Sequence, residues 1–290
     1  MGCGTFSHSS MDSYSHSMGR TYNANTGRVV GQKFEARHID PMLDPKQFKV
    51  RECCNNEEHP NTVPVILGLD VTGSMGDACA ETAAALGKIV TSLYDKFADI
   101  EFCIMGIGDL DYDESPVQMS QFESDVRIAV ALDKVYMEHG GGGNGFESYT
   151  VAWYMGLKRT KLDCYDKQGR KGIIITMGDE PLNPYLPKHE LNRHVDATEE
   201  ADIETPSLYA EASQKFDIFH IAVDSPRDCY RRYQRDVDNS FGQLLGSRYK
   251  VASIDNLAQT IEDCIAESIQ GVAQAQQPAA PANEGTGISW

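Results

Sequence analysis

Three short clusters of carboxylates and hydroxyls carry the chemistry this sequence can do. The first is Asp70-Val71-Thr72-Gly73-Ser74, in which Asp70, Thr72 and Ser74 alternate along an extended turn so that their oxygens can face one point. The second is the acidic run Gly108-Asp109-Leu110-Asp111-Tyr112-Asp113-Glu114, and the third is Gly178-Asp179-Glu180-Pro181. An oxygen-only donor set with one or two carboxylates suits a hard divalent cation such as Mg2+, with Mn2+ or Ca2+ as alternatives. Gly73 permits the tight turn, and Ser74 could equally cap a following helix with no metal present. Asp179, arriving from a different part of the chain, favours the metal over simple capping.

Other chemistries fit less well. The glycine run Gly140 to Gly145 has no Gly-Lys-Ser/Thr after it, which argues against a phosphate-binding P-loop. Asp109, Asp111 and Asp113 begin like a calcium-binding EF-hand loop. Glu114 then stands where glycine is required and Ser120 where glutamate is, so that motif fails and the acidic run reads as a solvated loop beside the metal, with a second cation site as the alternative. A phosphoryl-accepting aspartate of the D-x-D kind would need a second Asp where Thr72 stands, which leaves a Mg2+-dependent phosphate-ester hydrolase as a remote alternative. No nucleophile–base pair can be assigned by spacing, and the chain is read as a non-enzyme. His220, inside Phe219-His220-Ile221-Ala222, reads as a packed core residue. Arg227, Arg231, Arg232 and Arg235 read as a solvated basic face.

The clusters follow apolar runs that must position them. Val63 to Leu69, Ile100 to Ile107, Gly172 to Met177 and Asp217 to Val223 are nearly continuous apolar stretches, the pattern of strands buried on both faces. Helical patterns lie between them at Asp77 to Phe97 (Ala80, Ala83, Ala84, Ile89 and Leu93 on one side), Val126 to Met137 and Phe146 to Leu157. A further helix starts at Thr205-Pro206, and Tyr249 to Ser253 and Asn256 to Ile269 add a short strand and a last helix. This alternation predicts an α/β fold, doubly wound, with a mainly parallel sheet and helices on both faces. In such a sheet ligands bind beyond the carboxyl ends of the strands, where all three clusters fall. Residues 62–270 form the expected domain. Residues 1–61 are an irregular extension able to wrap it, with one short element within Met42 to Val50, and residues 271–290 form a flexible tail.

Composition narrows the partners. The 43 acidic residues against 26 basic ones give a formal charge of −17, which opposes binding to nucleic acid or an anionic membrane. No apolar stretch reaches the roughly 18 residues of a membrane span, and the start of the chain has no apolar signal region. Met1-Gly2-Cys3 is followed by Phe6 where myristoylation wants Ser or Thr. None of the eight cysteines forms a C-x-x-C pair. A cytoplasmic, reduced protein is expected.

These residues also carry a family resemblance. Asp70-x-Thr72-x-Ser74-Met75-Gly76 resembles the D-x-[ST]-x-S metal-ion-dependent adhesion motif of von Willebrand factor A domains, and about Thr62 to Ile269 resembles that family in element order. Gly140 to Gly145 followed by Phe146-Glu147-Ser148 is similar to the GGGDxPE-type loop of the intracellular subgroup that includes alpha-kinase-associated A domains, as is Gly106-Ile107-Gly108-Asp109 to its segment after the second strand. The resemblance implies Mg2+ held by Asp70, Thr72, Ser74, Asn144 and Asp179, with an open position that takes an Asp or Glu from a protein partner. Asn144 stands where the subgroup has Asp, which implies a weaker metal or a contact through water. A metal-independent scaffold, such as a partner of an AAA+ ATPase, is the alternative the family suggests.

Overall fold

The structure is a computed structural model. It describes residues 4–25, 28–31, 34–75, 92–94, 96–97, 99–138, 143–225 and 229–275. Most of the helix expected at Asp77 to Phe97 therefore lies outside the described residues, with Gly76, Gly140, Arg227 and the chain beyond Ala275. Leu93 is described and fully buried.

The four long apolar runs are strands, as their composition predicts: β1 (Val63–Asp70), β2 (Ile100–Ile107), β4 (Gly172–Gly178) and β5 (Phe216–Asp224). Every residue of β2 and β4 is buried, which is why neither shows a polar face in the sequence. With β3 (Val117–Met119) and β6 (Tyr249–Ser253) they form one six-stranded sheet in the order β6-β5-β4-β1-β2-β3. Side chains alternate between two apolar clusters. Val65, Leu67, Leu69, Phe102 and Ile104 enter one, and Ile66, Cys103, Met105 and Ile107 enter the other.

The expectation of a doubly wound, mainly parallel sheet needs correcting. The sheet is mixed, because β3 runs antiparallel to β2 with Met105 opposite Met119 and Ile107 opposite Val117. Only residues 108–116 separate the two strands, and a parallel return needs a crossover of about a dozen residues or more. The acidic run is therefore the turn of a hairpin, closed by the Gly108 N–H donating to Pro116 O at 2.9 Å.

Among the described residues the helices with both ends described are α1 (His8–Ser17), α2 (Arg127–Asp133), α3 (Thr150–Arg159), α4 (Lys188–Val195), α5 (Thr205–Lys215), α6 (Tyr230–Leu245) and α7 (Ile254–Ala275), besides one four-residue turn at Asp163–Asp166. Helix α3 starts four residues later than its apolar pattern suggested, because Phe146 to Tyr149 belong to the loop that reaches the site. In α5, Thr205 is the first helical residue and its hydroxyl donates to Asn183 O at 2.7 Å, so it does not cap through its side chain. Helix α7 runs past Ile269 to Ala275. Among the described residues no helix is long and apolar enough to cross a membrane.

The N-terminal segment is more regular than its composition suggested. It holds α1, a hairpin of Thr21–Asn23 with Arg28–Val30, a 3-10 turn at Pro45–Gln47 and a strand, Arg51–Cys53, paired with Thr160–Leu162. It is fastened to the sheet domain at separate points. Tyr14 and Arg20 both donate to Asp133, Phe6 stacks on Tyr94 with ring centroids 5.5 Å apart, and the Ser124 hydroxyl donates to Gly4 O at 2.6 Å.

Near this attachment β2 buries a carboxyl. Glu101 is 1% exposed, its Oε1 has no hydrogen-bond partner, and burial pushes its pKa up to about 7. An acid whose folded pKa lies above its unfolded value stabilises the fold only while protonated. Its contribution is present below about pH 4.5 and is lost as pH rises through about 7. Glu101→Gln should therefore raise the melting temperature more at pH 8 than at pH 5, by the equivalent of about 1–3 kcal/mol. Equal shifts at the two pH values in calorimetry would show that Glu101 is ionised at no cost.

Candidate metal centre

Strand register brings two of the three clusters together. Leu69 lies opposite Met177 and Asp70 opposite Ile107, so Asp70, Asp179 and Asp109 all emerge at the carboxyl ends of three adjacent parallel strands. Asp70 and Asp179 are fully buried and Thr72 is 1% exposed.

Asp70, Thr72, Ser74 and Asp179 form one hydrogen-bonded chain. The Thr72 N–H and hydroxyl donate to Asp70 Oδ1 at 2.9 and 2.6 Å. The Ser74 hydroxyl donates to Asp179 Oδ1 at 2.9 Å, and the two hydroxyl oxygens lie 3.1 Å apart. A hydroxyl has one proton to give. With both carboxylates ionised, both protons are committed outward, and the Thr72 and Ser74 oxygens face each other with lone pairs only.

The outer oxygens of the carboxylates are also held. The Tyr149 hydroxyl donates to Asp70 Oδ2 at 2.6 Å and itself accepts from the Glu180 N–H at 3.3 Å. Asp179 Oδ2 accepts from the Cys229 N–H at 2.7 Å, just ahead of α6, where helix-terminal amides favour negative charge. Neither contact has a sequence signal, since Tyr149 reads as one more core aromatic and a backbone N–H has no residue type.

The electrostatics are unbalanced. Burial, and then the Asp179 charge, push the Asp70 carboxyl up to about 8, and burial raises Asp179 as well. No cationic side chain among the described residues offsets either shift. Burial and the neighbouring acids push the Cys229 thiol up to about 12, so it is neither thiolate nor nucleophile near neutrality. His220 is a core residue on β5. Its Nδ1 lies 2.8 Å from the Thr176 hydroxyl, its ring stacks on Phe241 at 3.5 Å, and burial pushes its pKa well down.

The donor set fits a hard divalent cation. It is all oxygen, includes two buried carboxyl groups with no cationic side chain beside them among the described residues, and presents two hydroxyl oxygens 3.1 Å apart that have no proton between them once both carboxyls are ionised. Among the described residues no three His, Cys, Asp or Glu side chains converge as a metal site. Asn144 is outside the hydrogen-bonded chain. It neighbours Asp109, and its buried amide nitrogen has no hydrogen-bond partner.

The acidic hairpin is organised by its own backbone. The Asp109 N–H donates to Asp113 Oδ2 at 2.8 Å and the Asp111 N–H to Asp109 Oδ1 at 2.9 Å. The Ser148 hydroxyl, accepting from the Leu110 N–H at 3.0 Å, ties this hairpin to the loop before α3.

Neither a family model nor a curated protein matches the chain. Among solved structures it is similar to the pilus adhesin SpaC from Lactobacillus rhamnosus GG, with 12% identity and a TM-score of 0.48 over 75% of this chain and 32% of that one. It is also similar to the vWF domain of the type V pili tip protein Mfa5 from Porphyromonas gingivalis, with 13% identity and a TM-score of 0.41 over 76% and 97%. A third is proximal thread matrix protein 1 from the mussel byssus, with 14% identity and a TM-score of 0.43 over 70% and 47%. The chain thus spans about a third of the SpaC structure, and likenesses of this size assign no function.

Proposed function

We propose that this chain is a metal-dependent protein-binding module whose Mg2+, or Mn2+ or Ca2+, is held by Asp70, Thr72, Ser74 and Asp179. The observation that carries the reading is the run of four oxygens, Asp70 Oδ1, Thr72 Oγ1, Ser74 Oγ and Asp179 Oδ1, linked at 2.6, 3.1 and 2.9 Å between two buried carboxyl groups. Bound there, the metal would supply one open coordination position, and an Asp or Glu side chain of a partner protein is the ligand that matches a hard cation. The metal then grips a partner and activates nothing, in keeping with the absence of a usable nucleophile in Cys229. The family resemblance of Asp70 to Ser74 supports the same reading and points to a protein of the cell interior.

Calorimetric titration with Mg2+ and Mn2+ tests the metal, and the melting temperature with and without EDTA tests its linkage to folding. At about 100 times the Kd, binding adds about 2.7 kcal/mol, or roughly 5–10 °C for a domain of this size. Asp179→Ala should abolish both signals. For the partner, Glu-containing and matched Gln-containing peptides should differ in binding only when Mg2+ is present. Partner binding that ignores chelator would favour a scaffold without an obligatory metal.

A further inference from the structure

The loop before α3 holds a carboxylate that the four-residue centre does not use. Glu147 is 2% exposed and its Oε2 has no hydrogen-bond partner. Its backbone is fixed, because its N–H donates to Pro181 O at 3.3 Å and it forms a parallel bridge with Leu182, two residues beyond Glu180. Burial, and then the negative charges of Asp70, Glu180, Asp109 and Asp113, raise its pKa. A pinned, buried carboxylate with a free oxygen among like charges needs either a proton or a cation nearby.

We propose that Glu147, and not Asn144, is the residue through which this loop serves the metal, accepting a hydrogen bond from a metal-bound water. This rests on the metal centre proposed above. Mg2+ keeps several waters when protein-bound, and acceptors for those waters orient the inner ligands. The water-mediated position agrees with the absence, among the described residues, of three acidic side chains converging on one point. Asn144 neighbours Asp109, and the atom it leaves unpartnered is its amide nitrogen, which donates and cannot accept from a metal-bound water. Glu147 is a positioning residue, one step out from the ion.

The test is Mg2+ and Mn2+ affinity by calorimetry for the full chain, Glu147→Gln and Asn144→Ala, with the EPR spectrum of bound Mn2+ and the metal-free melting temperature of each. Loss of an acceptor for metal-bound water costs about 10–100-fold in affinity. Glu147→Gln should show that loss with an altered Mn2+ spectrum, while its metal-free form melts no lower than wild type. Asn144→Ala should stay within about threefold of wild type. A purely structural Glu147 would lower the metal-free melting temperature and leave the Mn2+ spectrum unchanged, which overturns the assignment. Equal affinity of wild type and Glu147→Gln overturns it too and leaves the metal centre standing, whereas failure of the wild type to bind either ion overturns both.

Discussion

Asp70→Asn is expected to raise the melting temperature of the metal-free protein and to abolish the further rise that Mg2+ gives the wild type. Both effects come from one carboxylate. Asp70 is fully buried, and burial together with Asp179 pushes its pKa to about 8, so the folded state binds its proton far more tightly than the unfolded chain does. Stability from this group is present below about pH 4 and is lost as pH rises through about 8. Near pH 7.5 most of the penalty is in force, on the order of 2–4 kcal/mol, and the neutral amide removes it. Metal reverses the sign. A cation binds the ionised form and competes with the proton, so wild-type affinity should climb from about pH 6 to pH 8 and then level. Scanning calorimetry of wild type and variant, each with EDTA and with Mg2+, gives four melting temperatures. A metal-free Asp70→Asn that melts below wild type would mean that the Asp70 charge is already compensated within the protein, and the case for a cation would go with it.

The central strands and their ends were legible because a strand buried on both faces has to be apolar at every position. Val63 to Leu69 and Gly172 to Met177 announce themselves, with Asp70 next after the first and Asp179 one glycine beyond the second. The register of β1 on β4 then does what the sequence suggested, setting the two carboxylates on one edge with Thr72 and Ser74 between. The sheet's direction was less legible. Val117–Met119 is three residues long and has no periodicity to detect, so the hairpin that makes the sheet mixed passed for a loop between elements. Regular structure in the N-terminal segment was missed for a different reason. Its short hairpin and helix draw support from outside contacts, such as Tyr14 and Arg20 on Asp133, which no local pattern encodes. Within the loop before α3, the chain offers Asn144 and Glu147 three residues apart, and spacing alone cannot say which one faces the site. Glu147 is preferred for its burial and its unpartnered Oε2, neither of which spacing encodes.

Gly178→Ala is the substitution expected to cost the fold most for the smallest change of atoms. A Cβ at this position would sit 2.0 Å from Tyr149 Oη and 2.5 Å from its Cε1 and Cζ, far inside van der Waals contact. The tyrosine has nowhere to go. It is fully buried, its hydroxyl donates to Asp70, and its ring is held by His220 at 4.9 Å and Phe241 at 5.7 Å. Overpacking of this kind costs about 1–3 kcal/mol or more, and expelling the hydroxyl from a carboxylate adds about 1.5–3 kcal/mol. A total of about 3–5 kcal/mol is a large part of the stability of an ordinary domain. Denaturant melts should show this loss, and metal binding should weaken with it because Asp70 loses its outer anchor. Removing the ring separates clash from backbone effects. In a Tyr149→Leu background the same glycine substitution should cost much less, giving a coupling of about 2 kcal/mol or more in a double-mutant cycle. Additive effects within about 0.5 kcal/mol would place the cost in the strand itself, and Gly178 would then be a feature of β4 instead of the recess that lets Tyr149 reach Asp70.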